Sequence, residues 1–87
     1  MTNLSWRDRY IESLKEDQTI KGIMRLRNTS TLVAMDIRKS AIEYLKEKDP
    51  NYIVPKTKVP TEAVFAVTGH DQRYYYQKMM DERKANI

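Results

Sequence analysis

The ten residues "PTEAVFAVTG", 60–69, decide between two folds for this 87-residue chain. Ala63 to Val67 form an unbroken apolar run, which periodicity alone reads equally well as a buried strand or a buried helix. The flanking residues favour the helix. Pro60 suits a first-turn position, Glu62 follows close behind, two alanines favour helix, and Gly69 supplies a terminator. A short helix over residues 61–68 is therefore expected, and with it an all-α fold.

Downstream, "TGHDQRYYYQKMMDERK" (68–84) predicts a last helix over roughly residues 70–84, with Asp71 placed to cap it. On a helical wheel Tyr75, Tyr76, Met79 and Met80 share the side expected to pack. His70, Tyr74, Gln77 and Lys78 fall on the other side, with Arg73 at its edge. The three consecutive tyrosines thus divide, two toward a core and one outward.

Upstream, "PNYIVPKTKVP" (50–60) carries all three prolines and reads as an extended crossing. Tyr52, Ile53 and Val54 are expected to pin it across the core, with room for a short edge strand. Before it, Trp6, Tyr10 and Leu14, widened by Ile11, define a first helix starting after Ser5 and breaking near Asp17–Gln18. Ile20, Ile23 and Met24 define a second, weakened by Gly22 by about 1 kcal/mol relative to alanine. "NTST" (28–31) then starts a longer helix to about residue 48. Its inner face is Val33, Ile37, Ala41 and Tyr44, flanked by Ala34 and Leu45. Met35 and Ile42 lie off that face, one heptad apart, among basic residues.

The expected architecture is one small helical domain of four to five helices. Residues 1–49 form its N-terminal helices, 50–60 the extended crossing, and 61–87 a C-terminal helical hairpin. A chain this short buries a modest share of its surface, so dimerisation would help a thin core. No apolar run approaches the length of a membrane span, and "MTNLSWRDRY" has no apolar signal core. A cytoplasmic protein with no membrane partner is expected. The absence of cysteine excludes disulfides, thiolate metal sites and cysteine nucleophiles. With a single histidine and no ligand cluster, neither a metal nor another cofactor is expected. His70-Asp71 lacks a third orienting group, so enzymatic activity is not expected either.

Sixteen Lys and Arg against twelve Asp and Glu give a net charge of +4, spread evenly along the chain. That excess suits nucleic acid or an acidic protein partner. Two binding readings follow. In the first, residues 60–80 have the outline of a helix-turn-helix, and the exposed face of the last helix contacts DNA. Arg73 and Gln77 would read base edges, and Tyr74, Lys78 and His70 would lie beside them. Lys21, Arg25 and Arg27 would supply phosphate contacts. In the second, the protein is an adaptor or inhibitor of the small one-domain kind found on mobile elements. It would use Met35 and Ile42, ringed by Arg38, Lys39 and Lys46, on an acidic partner surface.

Overall fold

In the computed structural model, which describes residues 4–85, five helices and two very short strands follow one another. They are α1 (Trp6–Ser13), β1 (Asp17–Gln18), α2 (Ile20–Arg27), α3 (Thr31–Lys48), β2 (Val59–Pro60), α4 (Thr61–Thr68) and α5 (Gln72–Ala85). The deciding stretch is a helix, and the chain is a small all-α bundle.

Local chemistry explains most of the boundaries. Ser5, Thr19 and Ser30 cap α1, α2 and α3, their hydroxyls accepting from the backbone N–H groups of Asp8, Gly22 and Val33. Asp71 caps α5 in the same way, accepting from Tyr74 N at 3.0 Å. Asn28 (φ 51°) and Gly69 (φ 76°) end α2 and α4 in the left-handed conformation that asparagine and glycine adopt at least cost. Asp49, ahead of Pro50, is extended and ends α3.

The N-terminus of α4 has no side-chain cap, because Pro60 cannot supply one. It is held by a small network instead. β1 and β2 pair antiparallel, Asp17 opposite Pro60 and Gln18 opposite Val59. Thr61 N donates to Glu16 O at 2.9 Å, and Thr61 Oγ1 donates to Lys15 O at 2.6 Å. The fully buried Gln18 amide donates to Glu12 O (3.0 Å) and to Thr61 Oγ1 (3.1 Å). The break after α1 is thereby fastened to the start of α4, some forty residues later in the chain.

The core comprises Ile23 and Leu26 of α2, Ala34 and Ala41 of α3, Val59, Ala63 and Val64 of α4, and Tyr75 of α5. Packing follows the spatial order α5, α1, α2, α3, α4, so α4 and α5, neighbours in sequence, have different principal packing partners. The radius of gyration is 13.6 Å, where a compact chain of this length would give about 12 Å. The molecule is elongated, with a long axis of 50 Å.

Four expectations need correction. The crossing is not pinned by Ile53 and Val54, which are 87% and 39% exposed; Val59 is its buried anchor, and pairing occurs at 59–60 because β1 reaches only there. In α1, Leu14 lies beyond the helix and, like Ile11, is exposed. Glu12 and Ser13 are buried instead, because Glu12 faces the bare surface of Gly22 on α2. In α3 the inner stripe is centred on Ala34 and Ala41, small enough for α2 and α4 to approach from either side, while Val33 is exposed. In α5 only Tyr75 is fully buried. Tyr76 is 45% exposed against Tyr10, and Tyr74 is half-buried because Trp6 of α1 covers it.

Candidate functional site

A groove of about 900 Å3 runs along α3, walled by the start of α2 and by Lys56–Thr57 of the crossing. Its apolar floor is Ile20, Met35 and Ile42. Lys21, Arg38, Lys39, Lys46 and Lys56 surround that floor, with Glu43 the one acidic residue among its lining. The geometry follows from helical periodicity. Positions 31, 35, 38, 42 and 46 advance by three or four residues, so they form one stripe along α3. Fifteen residues at the α-helical rise give a stripe of about 22 Å. Arg38 builds one wall, its Nη2 donating to Pro55 O at 2.8 Å and to Lys56 O at 3.3 Å. Met35 remains 52% exposed in the floor.

All five residues of the protein-partner reading line this one groove. Sequence reasoning missed Ile20, assigned to the inner face, and Lys56, hidden in the crossing. Only the folding of the crossing back onto α3 brings Lys56 there.

The eight residues of the DNA reading disperse. Lys21 belongs to the groove. Arg25 pairs with Glu12 at 3.6 Å. Arg73 and Gln77 are exposed on α5, with Gln77 Nε2 donating to Asp81 Oδ1 at 3.1 Å. Arg27, His70, Tyr74 and Lys78 gather in a third place, against α1. There the His70 ring stacks on Tyr74, centroids 3.7 Å apart and planes 5° from parallel. Tyr74 meets Trp6 edge-on at 5.9 Å, and Lys78 Nζ stands 5.8 Å from the Trp6 ring and 5.7 Å from that of Tyr74. Tyr74 and Lys78, expected on an outward face, are thus partly occupied within the molecule.

Arg27 Nη1 contacts His70 Nδ1 at 2.6 Å and donates to Tyr75 Oη at 2.9 Å. A guanidinium can only donate, so Nδ1 accepts and the ring proton sits on Nε2. The His70 pKa is lowered, first by partial burial and then by the charges of Arg27, Arg9 and Lys78, with Asp71 opposing. His70 lies in the turn between α4 and α5, and its Arg27 contact spans 43 residues and has no local signature.

α4 and α5 are joined by three residues, which keeps the helix-turn-helix outline in the chain. Their packing differs from a closed hairpin, since α4 lies along α3 and α5 along α1. Among the described residues no helix is long and apolar enough to cross a membrane, and no three His, Cys, Asp or Glu side chains group to hold a metal ion. No protein-family model, curated protein or solved structure matches this chain.

Proposed function

We propose that this protein is a binding module whose α3 groove takes an acidic, amphipathic helical segment of a partner protein. The observation that carries the reading is the convergence of Met35 and Ile42 with five basic side chains in one concave strip. An exposed apolar patch rimmed by polar groups is the expected mark of a protein contact. The stripe length of about 22 Å matches about four turns of a docked helix, whose apolar anchors would seat between Met35 and Ile42. Five cations against one carboxylate set the partner's sign. A second copy of the chain fits less well, because each copy carries +4. Single-stranded nucleic acid also fits less well, because the groove lining has no aromatic ring on which a base could stack.

The test uses a designed helical peptide with a leucine stripe and a glutamate face as probe, read by methyl and amide NMR shifts on the whole chain. Saturable shifts centred on Met35, Ile42 and Lys39 are expected. Met35→Asp should weaken binding by tenfold or more, about 1.4 kcal/mol, with helicity unchanged. Random duplex DNA is the competing arm. DNA-induced shifts confined to α5 and lost in Arg73→Ala and Gln77→Ala, with no peptide response, would transfer the function to the DNA reading.

A further inference from the structure

The cluster against α1 has a charge balance that the groove does not explain. Arg9 of α1, Arg27 at the end of α2, His70 before α5 and Lys78 within α5 surround Trp6, Tyr74 and Tyr75. All four basic groups are partly buried. The Arg9 guanidinium lies 3.9 Å from the Trp6 ring centroid while its Nε donates to Leu26 O at 2.9 Å. Arg27 bonds the Tyr75 hydroxyl, and that hydroxyl also faces Arg9. Two guanidinium groups therefore gather at one tyrosine, Arg27 on its hydroxyl and Arg9 with its Cζ 5.9 Å from the ring centroid.

Among the described residues no carboxylate makes a salt bridge to any of the four. Both ion pairs among the described residues go to Glu12, from Lys15 and Arg25. The two acidic residues that flank the cluster hold backbone N–H groups: Asp71 accepts from Tyr74 N and Glu82 from Trp6 N. Partly desolvated cations with no directly paired carboxylate are costly, and a bound anion offsets that cost. Beyond the donors already engaged, two guanidinium groups, an ammonium and an imidazole N–H remain, a donor set that suits a tetrahedral oxyanion.

We propose that the Arg9–Arg27–His70–Lys78 cluster is an oxyanion site that binds a phosphate group, independent of the groove. The ring stack of His70 on Tyr74 and of Arg9 on Trp6 restrains the donors before the anion arrives, which reduces the ordering cost. The phosphate could belong to a free monoester or to a nucleic-acid backbone, since both present the same oxygens.

The experiment is an NMR titration of the full chain, following the Nε–H signals of Arg9 and Arg27 and the His70 ring. One arm uses inorganic phosphate and the other a short oligothymidylate, each against sodium chloride at equal ionic strength. Saturating shifts confined to the cluster are expected in at least one arm. Response to phosphate alone identifies a monoester site; response to the oligonucleotide identifies a phosphodiester site. Arg27→Lys keeps the charge but loses the fork and should weaken binding by about tenfold. Because Arg27 also holds Tyr75, Lys78→Gln serves as the second variant; its Nζ stands over the Trp6 and Tyr74 rings, and the change should weaken binding several-fold without loss of helicity. The proposal is overturned if neither anion exceeds the chloride response, or if Lys78→Gln leaves the affinity unchanged.

Discussion

Replacing Gly22 with alanine sets two effects against each other. Helix propensity alone favours the change by about 1 kcal/mol, since Gly22 lies within α2. The surroundings oppose it. A β-carbon at Gly22 would stand 2.9 Å from Glu12 Oε1 and closer still to Gln18 Oε1. The glutamine end is flexible in principle, but Gln18 has no exposed surface, and its amide nitrogen is committed to Glu12 O and Thr61 Oγ1. Retreat breaks two buried hydrogen bonds at about 1 kcal/mol each and strands a buried amide for about 1 kcal/mol or more. Subtracting the propensity gain leaves a net loss of about 2 kcal/mol, which lowers Tm by roughly 8–16 °C in a domain of this size. Thermal unfolding followed by far-UV circular dichroism at fixed concentration measures it. In a Gln18→Ala background the obstruction is gone, and Gly22→Ala should become neutral or stabilising. The difference between backgrounds is the coupling between the two positions. A higher Tm for Gly22→Ala in the otherwise native chain would refute the packing argument.

Gly69→Ala tests the opposite case. No atom lies within 4 Å of the new β-carbon, but φ is 76°, so a loss of about 1–2 kcal/mol is expected from backbone conformation alone, with Gly69→Asn costing less; urea unfolding distinguishes them. Stability should fall as pH drops below the ordinary histidine value of 6.5, because His70, with its pKa lowered, binds a proton less readily folded than unfolded. The contribution is fully present above that value, and His70→Gln should flatten the slope of urea midpoint against pH between about 7.5 and 5.5, above the range where carboxylates titrate. Tyr75→Phe keeps the buried ring and removes the acceptor for Arg27 Nη1; a loss of about 1 kcal/mol by urea denaturation is expected, without change in helicity.

What the sequence made legible was local. Caps at Ser5 and Ser30, the stop before Pro50 and the terminator Gly69 are written in residue types that act within a few positions, and the helices fall where those residues put them. The five groove residues were legible for a related reason: Met35, Ile42 and their basic neighbours share one helix, so spacing alone places them together. The features that escaped depend on contacts between distant segments. The short strand expected within the crossing lies at Val59–Pro60, but its partner β1 at Asp17–Gln18, two residues long, is too short for any alternation to register. Glu12 reads as a surface residue until Gly22 is known to face it. Tyr74 reads as outward until Trp6 is known to cover it. A helical wheel finds an apolar face but does not say how far a neighbour will reach, and in α5 Trp6 reaches past Tyr75 to cover Tyr74 on the side that looked polar.

The elongated packing order gives a physical reason for the uncovered groove. Because α1, α2, α3 and α4 pack in succession, α3 takes α2 and α4 as its principal neighbours across its alanine stripe, and Met35 stays exposed. Among the described residues eight buried apolar side chains make the core, thin for a chain of this length. Ile42 already packs partly against that core, but Met35 stands 52% exposed on the second face among five cations that could not follow it into an apolar interior without partners. Lysine and arginine stems can flank apolar surface while their charged ends remain in water. A strip of this composition tolerates solvent in the free protein and gains when an acidic helix covers it. On that reasoning, charge reversal at Lys39 and Lys46 should slow association more than it speeds dissociation, and Met35→Asp should do the reverse. Stopped-flow measurement with the acidic probe peptide separates the two, and equal effects on both rates from both variants would remove the proposed division between rim and floor.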